Sequence, residues 1–168
     1  HGGLEQKGRE GMLYRFSNGS TNILVSTNLG SRGLDIPDVD NIIQYHLPEN
    51  EEEHVHRVGR TARWDKRGNV FFVLGPDEQL PDYVQQKVDV MELPDVLPAI
   101  KQARMTTLYI GKGKKDKISK GDIVGFLCKK AGIEQTDIGK IDVMPRYSYV
   151  AVSRTKISQI LKMTKGEK

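Results

Sequence analysis

Asn22 to Thr27 is a short, β-branched and nearly all-apolar run. Such a run fits a strand covered on both faces, as in a parallel sheet. A Gly-rich loop, residues 28–38, follows it, and Pro37 prevents a simple continuation. Val39 to Leu47, with Ile42, Ile43 and Tyr45, is a second strand candidate. Pro48-Glu49-Asn50 then opens a helix, and Glu51, Glu52 and Glu53 sit where the helix dipole favours negative charge. Asn69 to Leu74 reads as a third strand. Strand, loop, strand, helix, strand is α/β order. Ligands of such sheets bind at the carboxyl ends of the strands, which places residues 27–35 well for a site.

Ahead of the first run, Leu4 to Phe16 reads as a helix with Leu4, Met12, Leu13 and Phe16 on one face. Gly8 and Gly11 weaken it, and Asn18-Gly19 ends it. Pro81 to Met91 is expected to form one more helix. Residues 92–105 hold Pro94 and Pro98, show weak periodicity and read as a linker.

Beyond the linker the expected order is strand, helix, strand, strand, helix. Leu108-Tyr109-Ile110 is the first strand. Ser119 begins a helix that turns Ile123, Phe126, Leu127 and Cys128 inward. Ile141 to Met144 and Tyr147 to Val152 flank a Pro145-Arg146 turn, and Thr155 to Met163 is the last helix. A βαββαβ domain needs one more strand, so an α+β RRM-like (ferredoxin-like) domain lacking its last strand is expected. The expected organisation is therefore a partial parallel-sheet lobe at residues 1–91, a linker at 92–105 and a smaller α+β domain at 106–168. A start at His1 with no initiator Met suggests a piece of something longer.

Charge divides the chain in the same place. Residues 106–168 hold 14 Lys and Arg against 6 Asp and Glu, a net of +8, which leaves −4 for residues 1–105 within the overall +4. A basic domain of this size suggests a polyanion partner, nucleic acid first; a merely soluble basic surface is the plainer reading. No apolar run approaches the length of a membrane span. The single Cys128 excludes an internal disulfide framework and fits a reducing, cytoplasmic setting.

His56-Arg57-Val58-Gly59-Arg60-Thr61-Ala62-Arg63 places Arg57, Arg60 and Arg63 three residues apart, on one face if helical. No Asp or Glu lies between His54 and Trp64 to offset them. Guanidinium groups suit a phosphate or carboxylate partner that accepts paired hydrogen bonds. A solvated basic face, or a structural ion-pair cluster, is the alternative.

This octapeptide, preceded by Ser26-Thr27-Asn28-Leu29-Gly30-Ser31-Arg32-Gly33-Leu34-Asp35-Ile36-Pro37, resembles motifs VI and V of the DEAD-box RNA helicases. Gln6 and Arg9, just after Gly2 and Gly3, look like the family's Gln-x-x-Arg motif. Thr107 to Lys115, Gly139-Lys140-Ile141 and Tyr149 to Val152 resemble the RNA-binding domain of the DbpA subfamily. The resemblance implies that residues 1–91 form most of the second of two RecA-like lobes that close on ATP with Mg and on single-stranded RNA. It implies arginine fingers at Arg60 and Arg63, worth ~10³–10⁵ in rate in such enzymes. It assigns coupling to the first lobe to His56 and Arg57, ATP contact to Asp35 in the Gly33 loop, and RNA contact to Gly2, Gly3, Gln6, Arg9 and Thr27. No metal ligand is expected on this chain. Asn28, Ala62 and Trp64 depart from common family residues without touching the fingers. Neither a Gly-x-x-x-x-Gly-Lys-Ser/Thr loop nor an Asp-Glu-Ala-Asp box occurs, so the first lobe is absent here and this piece alone should not hydrolyse ATP.

Read without the resemblance, Tyr109 and either Tyr147 or Tyr149 would lie side by side on a sheet as platforms for bases, or serve packing alone. The subfamily resemblance implies grip on a structured, large-subunit ribosomal RNA hairpin. Lys112, Lys114, Lys115, Lys117, Arg146, Arg154 and Lys156 are then candidate phosphate contacts. The Gly-Lys run 111–115 lacks the ending of a phosphate-binding P-loop. Two functions remain open: the C-terminal part of an ATP-dependent RNA helicase, or a non-catalytic RNA-binding adaptor. An unfinished sheet edge also raises self-association.

Overall fold

The computed structural model describes residues 3–27, 39–59, 61, 68–85 and 87–167. They fall into two compact units, one made of residues 28–99 and the other of residues 1–27 with 100–168.

The first of these units holds a two-stranded parallel sheet. β1 (Asn41–Gln44) pairs with β2 (Asn69–Phe72), with Ile42 opposite Val70 and Gln44 opposite Phe72. Between them runs α2 (Glu51–Val58); α1 (Gln6–Ser17) lies in the other unit. Its start is fixed by Asn50, whose side chain accepts the Glu53 N–H at 2.9 Å, while Glu53 reaches back to the Glu49 N–H at 2.8 Å. These bonds occupy backbone donors that the first helical turn leaves open.

The second unit is a three-stranded antiparallel sheet with helices on it. α1 (Gln6–Ser17) comes first in the chain; β3 (Met105–Ile110), α3 (Lys120–Lys130), β4 (Ile138–Val143), β5 (Ser148–Ser153) and α4 (Ile157–Met163) follow the linker. The strand order is β3-β5-β4, so the last strand in sequence is central. That is the order of the first three strands of an RRM-like sheet, and no fourth strand is found among the described residues. α3 starts at a capping box in which Ser119 and Asp122 bond each other's backbone N–H groups. One face of the sheet presents Leu108, Ile110, Ile141, Val150 and Val152 to Ile123, Leu127 and Ile160 of the two helices. Leu127, Val150, Val152 and Ile160 have no exposed surface, so this is the unit's core.

Two expected elements are not formed. Residues 22–27 join no sheet, and Val25 is 87% exposed; β-branched residues make a strand only where a neighbour completes the ladder. In place of the helix expected from Pro81 to Met91, the described residues form a turn at 82–83 and then irregular chain. Val84, Val88 and Val90 are weak helix formers, and Val90 is 93% exposed, so no core contact compensates. Residues 87–104 are without helix or strand. The helix expected near the start is present as α1, but it groups with the antiparallel sheet.

Candidate functional site

The parallel unit builds its polar site around Gln44, the last residue of β1, which is 2% exposed. Its amide nitrogen lies 3.1 Å from His54 Nδ1, and its amide oxygen accepts from Arg57 Nη1 at 3.4 Å. The same Nη1 donates to the His46 carbonyl at 2.7 Å, and Nη2 pairs with the Glu53 carboxylate at 3.0 Å. Arg57 therefore ties α2 to the carboxyl end of β1. Among the described residues its buried Nε has no hydrogen-bond partner. His54 stacks on Phe72 at 5.7 Å and meets Tyr83 at 5.6 Å, while the Tyr83 hydroxyl donates to the Pro48 carbonyl at 2.5 Å. Burial, then the nearby Arg57 charge, hold the His54 pKa below the ordinary value.

His56, one residue before Arg57, is exposed on α2. Arg60, Arg63, Gly33 and Asp35 lie outside the described residues, as do Gly2 and the Gln6 side chain. Thr61, between the two arginines, is described and 5% exposed, and its hydroxyl donates to the Val39 carbonyl ahead of β1. Sequence reasoning passed over Thr61. Its signal was a hydroxyl inside a cationic run, between Arg60 and Arg63. Arg9 donates Nε to the carbonyl of Leu4, just ahead of α1, at 3.1 Å, and Gly3 and Thr27 are exposed.

On the antiparallel unit the lysine candidates gather on one loop. The Lys114 and Lys115 N–H groups donate to the Met144 and Pro145 carbonyls, both at 2.9 Å, so the loop after β3 rests on the turn between β4 and β5. Buried Ser148 fastens the loop's start by donating to the Lys112 carbonyl at 2.9 Å. Gly113 is where the two segments touch: a Cβ there would lie 2.2 Å from the Met144 oxygen. Lys112, Lys114, Lys115 and Lys117 are thereby held outward and exposed, next to exposed Arg146. Lys112 lies 3.7 Å from Asp116, a loose exposed pair.

The other two basic candidates sit elsewhere. The Arg154 guanidinium donates to the carbonyls of Ala103, Met105 and Ser20, at 2.7, 3.0 and 3.3 Å, which makes it a clamp on backbone. Lys156 faces Asp137 at 4.0 Å. Tyr109, Tyr147 and Tyr149 come together on the sheet face away from α3 and α4, with ring centroids 5.3–5.8 Å apart. Tyr109 is 55% exposed, whereas the other two are half-buried. A cavity of about 330 Å³ lies beside the lysine loop, lined by Lys114, Ile118, Lys120, Asp142 and Met144 among others.

With this geometry, a basic loop and an aromatic face share one domain, and an arginine-anchored helix end belongs to the other. Known proteins show the same pairing. Residues 1–65 match the helicase conserved C-terminal domain, and residues 107–168 match the DbpA RNA binding domain. The chain is 38% identical to the ATP-dependent RNA helicase DbpA of Escherichia coli, over all of its own length and 38% of that protein's. It is 30% identical to the ATP-dependent RNA helicase DbpA of Bacillus subtilis, over 99% of its own length and 40% of that protein's. It is also 34% identical, over 78% of its length and 31% of the relative's, to the ATP-dependent rRNA helicase RRP3 of Coccidioides immitis. The chain thus spans about two fifths of the length of the DbpA proteins it matches.

Proposed function

This chain belongs to the DbpA-type DEAD-box RNA helicases, and we propose that it supplies the second RecA-like lobe and the RNA-targeting domain of an enzyme that separates short RNA duplexes. The observation that carries the reading is the joining of two features in one chain. The arginine motif overlaps the end of a helix that Arg57 anchors to the end of β1, and a lysine loop holds exposed side chains on a compact basic domain.

In this reading the lobe boundaries are residues 1–91 and 106–168, with 92–105 as the connection. Arg57 and Thr61 are positioning residues. They brace the segment before and after Arg60, so that Arg60 and Arg63 can reach a γ-phosphate held mainly by the first RecA-like lobe. Guanidinium groups in that place stabilise charge that develops as the phosphoryl group transfers. ATP with Mg is the nucleotide, and Gly33 and Asp35 are its further contacts on this chain. Gly2, Gly3, Gln6, Arg9 and Thr27 contact the RNA backbone, where amide, hydroxyl and guanidinium groups bind without reading sequence. The four loop lysines, with Arg146, hold a structured RNA through its phosphates. The rRNA helicases among the relatives favour ribosomal RNA as that target, and ribosome assembly in the cytoplasm as the setting.

Joining the first lobe to this chain and assaying ATP hydrolysis with and without RNA tests the reading. RNA should stimulate hydrolysis, and Arg60→Ala or Arg63→Ala should lower it by about a thousandfold with RNA binding kept. Unstimulated hydrolysis beside intact RNA binding would instead assign the chain to a non-catalytic adaptor. Salt-dependent binding of a ribosomal hairpin, resistant to an unrelated hairpin, tests the target.

A further inference from the structure

The side-chain amide of Gln44 has a donor end and an acceptor end, and it stands between two groups of α2. Arg57 can only donate, so the amide oxygen must be the end that faces its Nη1, 3.4 Å away. The NH2 end is then the one that lies 3.1 Å from His54 Nδ1, and that ring nitrogen must accept. His54 is therefore neutral, with its proton on Nε2. The arginine fixes the amide, and the amide fixes the histidine.

A proton on Nδ1 turns that acceptor into a donor, and the NH2 group of Gln44 then meets an N–H. Gln44 is 2% exposed, so its amide must pair with protein groups. A half-turn presents the amide oxygen to His54 and the NH2 to Arg57. The two ends of the amide lie apart, so its oxygen cannot serve both groups. Arg57 now faces a donor. Its Nε has no partner among the described residues, so of its hydrogen bonds only those to the His46 carbonyl and the Glu53 carboxylate remain.

We propose that Gln44 and His54 are positioning residues for the arginine motif: a proton on His54 turns the Gln44 amide and loosens Arg57 from the end of β1. The inference rests on the helicase reading of this lobe, in which Arg57 braces the segment that leads to Arg60. The surroundings of His54 keep the brace closed at neutral pH. Phe72 of β2 stacks on the ring at 5.7 Å, and Tyr83 lies 5.6 Å away. Among the described residues, the charged groups that face the ring are Arg57, which together with burial disfavours the proton, and Glu51, which favours it less. Gln44 and Phe72, its neighbours on β1 and β2, carry no charge, and burial holds the Tyr83 hydroxyl in its neutral form. Glu53 is paired with Arg57.

Two measurements test this. In the full chain, the side-chain NH2 signals of Gln44 and the Nε–H signal of Arg57 are followed by NMR against pH, beside the His54 ring signals. All three should move through one midpoint below 6.5. Gln44→Glu offers a carboxylate oxygen to each neighbour at once, so its His54 should titrate above the parent's, and its Arg57 signal should stay still through that titration. In the enzyme completed with the first lobe, RNA-stimulated ATP hydrolysis should fall from pH 7 to pH 5 by about threefold to tenfold more in the parent than in Gln44→Glu. His54→Phe keeps a ring against Phe72 and has no proton to gain, so it should share the smaller fall. A merely structural role for Gln44 would lower hydrolysis alike at every pH. An Arg57 signal that ignores the His54 midpoint in the parent overturns the proposal, and so does an equal acid fall in all three enzymes. If the completed enzyme shows no RNA-stimulated hydrolysis at pH 7, the helicase reading fails, while a midpoint shared by the three residues still upholds the turning amide.

Discussion

Thr61 fills the space that a side chain at Gly68 would need: a Cβ built on Gly68 falls 1.7 Å from the Thr61 hydroxyl oxygen. Thr61 cannot yield easily, because it is buried and bonded to Val39. Gly68→Ala should therefore push the segment carrying the arginine motif away from β2 and destabilise the parallel unit by about 1–3 kcal/mol. Urea denaturation of the two proteins measures this. An unchanged midpoint would show that the segment is not held there. In an assembled enzyme the same substitution should lower RNA-stimulated ATP hydrolysis more than RNA binding.

Arg57 is held by three acceptors, on Gln44, His46 and Glu53. Removing the guanidinium leaves nearly buried Gln44 and the His46 carbonyl short of a donor. Arg57→Ala should cost about 1.5–3 kcal/mol in the stability of this unit. Arg57→Lys keeps the charge but not the fork that reaches strand and helix together, so it should recover only part of the loss. Equal stability of the lysine variant and the parent, by thermal unfolding, would reduce Arg57 to a point charge.

Position within the chain explains how much could be read beforehand. The elements found from their residues are those whose stability is local or whose partner is near in sequence. α2 has its cap and acidic first turn, α3 has Ser119 and Asp122, and β4 and β5 flank a short turn. The misread segments depend on distant context. Ile23 and Val25 look like a strand but pair with no other chain segment among the described residues, and both are exposed. The bonds from Arg154 to carbonyls of residues 20 and 103, far away in sequence, likewise could not be read from its neighbours. The contact between the Tyr14 and Tyr149 rings, 5.1 Å apart, was hidden for the same reason: the two are separated by most of the chain, and nothing in either neighbourhood names the other.

The Gln44–His54–Arg57 cluster also sets a pH dependence. Burial and then the Arg57 charge lower the His54 pKa from its ordinary 6.5, while Glu51 opposes them weakly. The unfolded chain then binds the proton more readily than the folded one. Stability from the neutral ring is fully present above pH 6.5 and is lost as pH falls through that value towards the folded pKa. Denaturation midpoints should drop from pH 7 to pH 5, and the His54 ring signals should titrate below the ordinary 6.5. His54→Phe, which keeps an aromatic ring against Phe72, should flatten the slope below pH 6.5. An equal slope in that variant would assign the loss to other groups.

The lysine loop gives the sharpest separation between charge and shape. Lys114 and Lys115 are exposed, and their side chains can be removed without disturbing what their N–H groups hold. Lys114→Ala and Lys115→Ala should each lower the salt slope of hairpin binding by about 0.7–0.9 and leave the melting temperature unchanged. Gly113→Ala keeps every charge but works against the fold. Its Cβ would lie 2.2, 2.7 and 2.9 Å from backbone atoms of Met144, Tyr147 and Arg146, none of which can swing aside as a side chain would. The loop must lift off the turn, breaking the bonds from Lys114 and Lys115 to Met144 and Pro145. All four lysines then lose their common placement. Gly113→Ala should therefore weaken binding and reduce the slope by more than either lysine variant, with a lower melting temperature. If it lowers the melting temperature yet binds the hairpin with the parent's slope, the lysines act as a diffuse cloud, and the loop's rest on the 144–147 turn matters only to the fold.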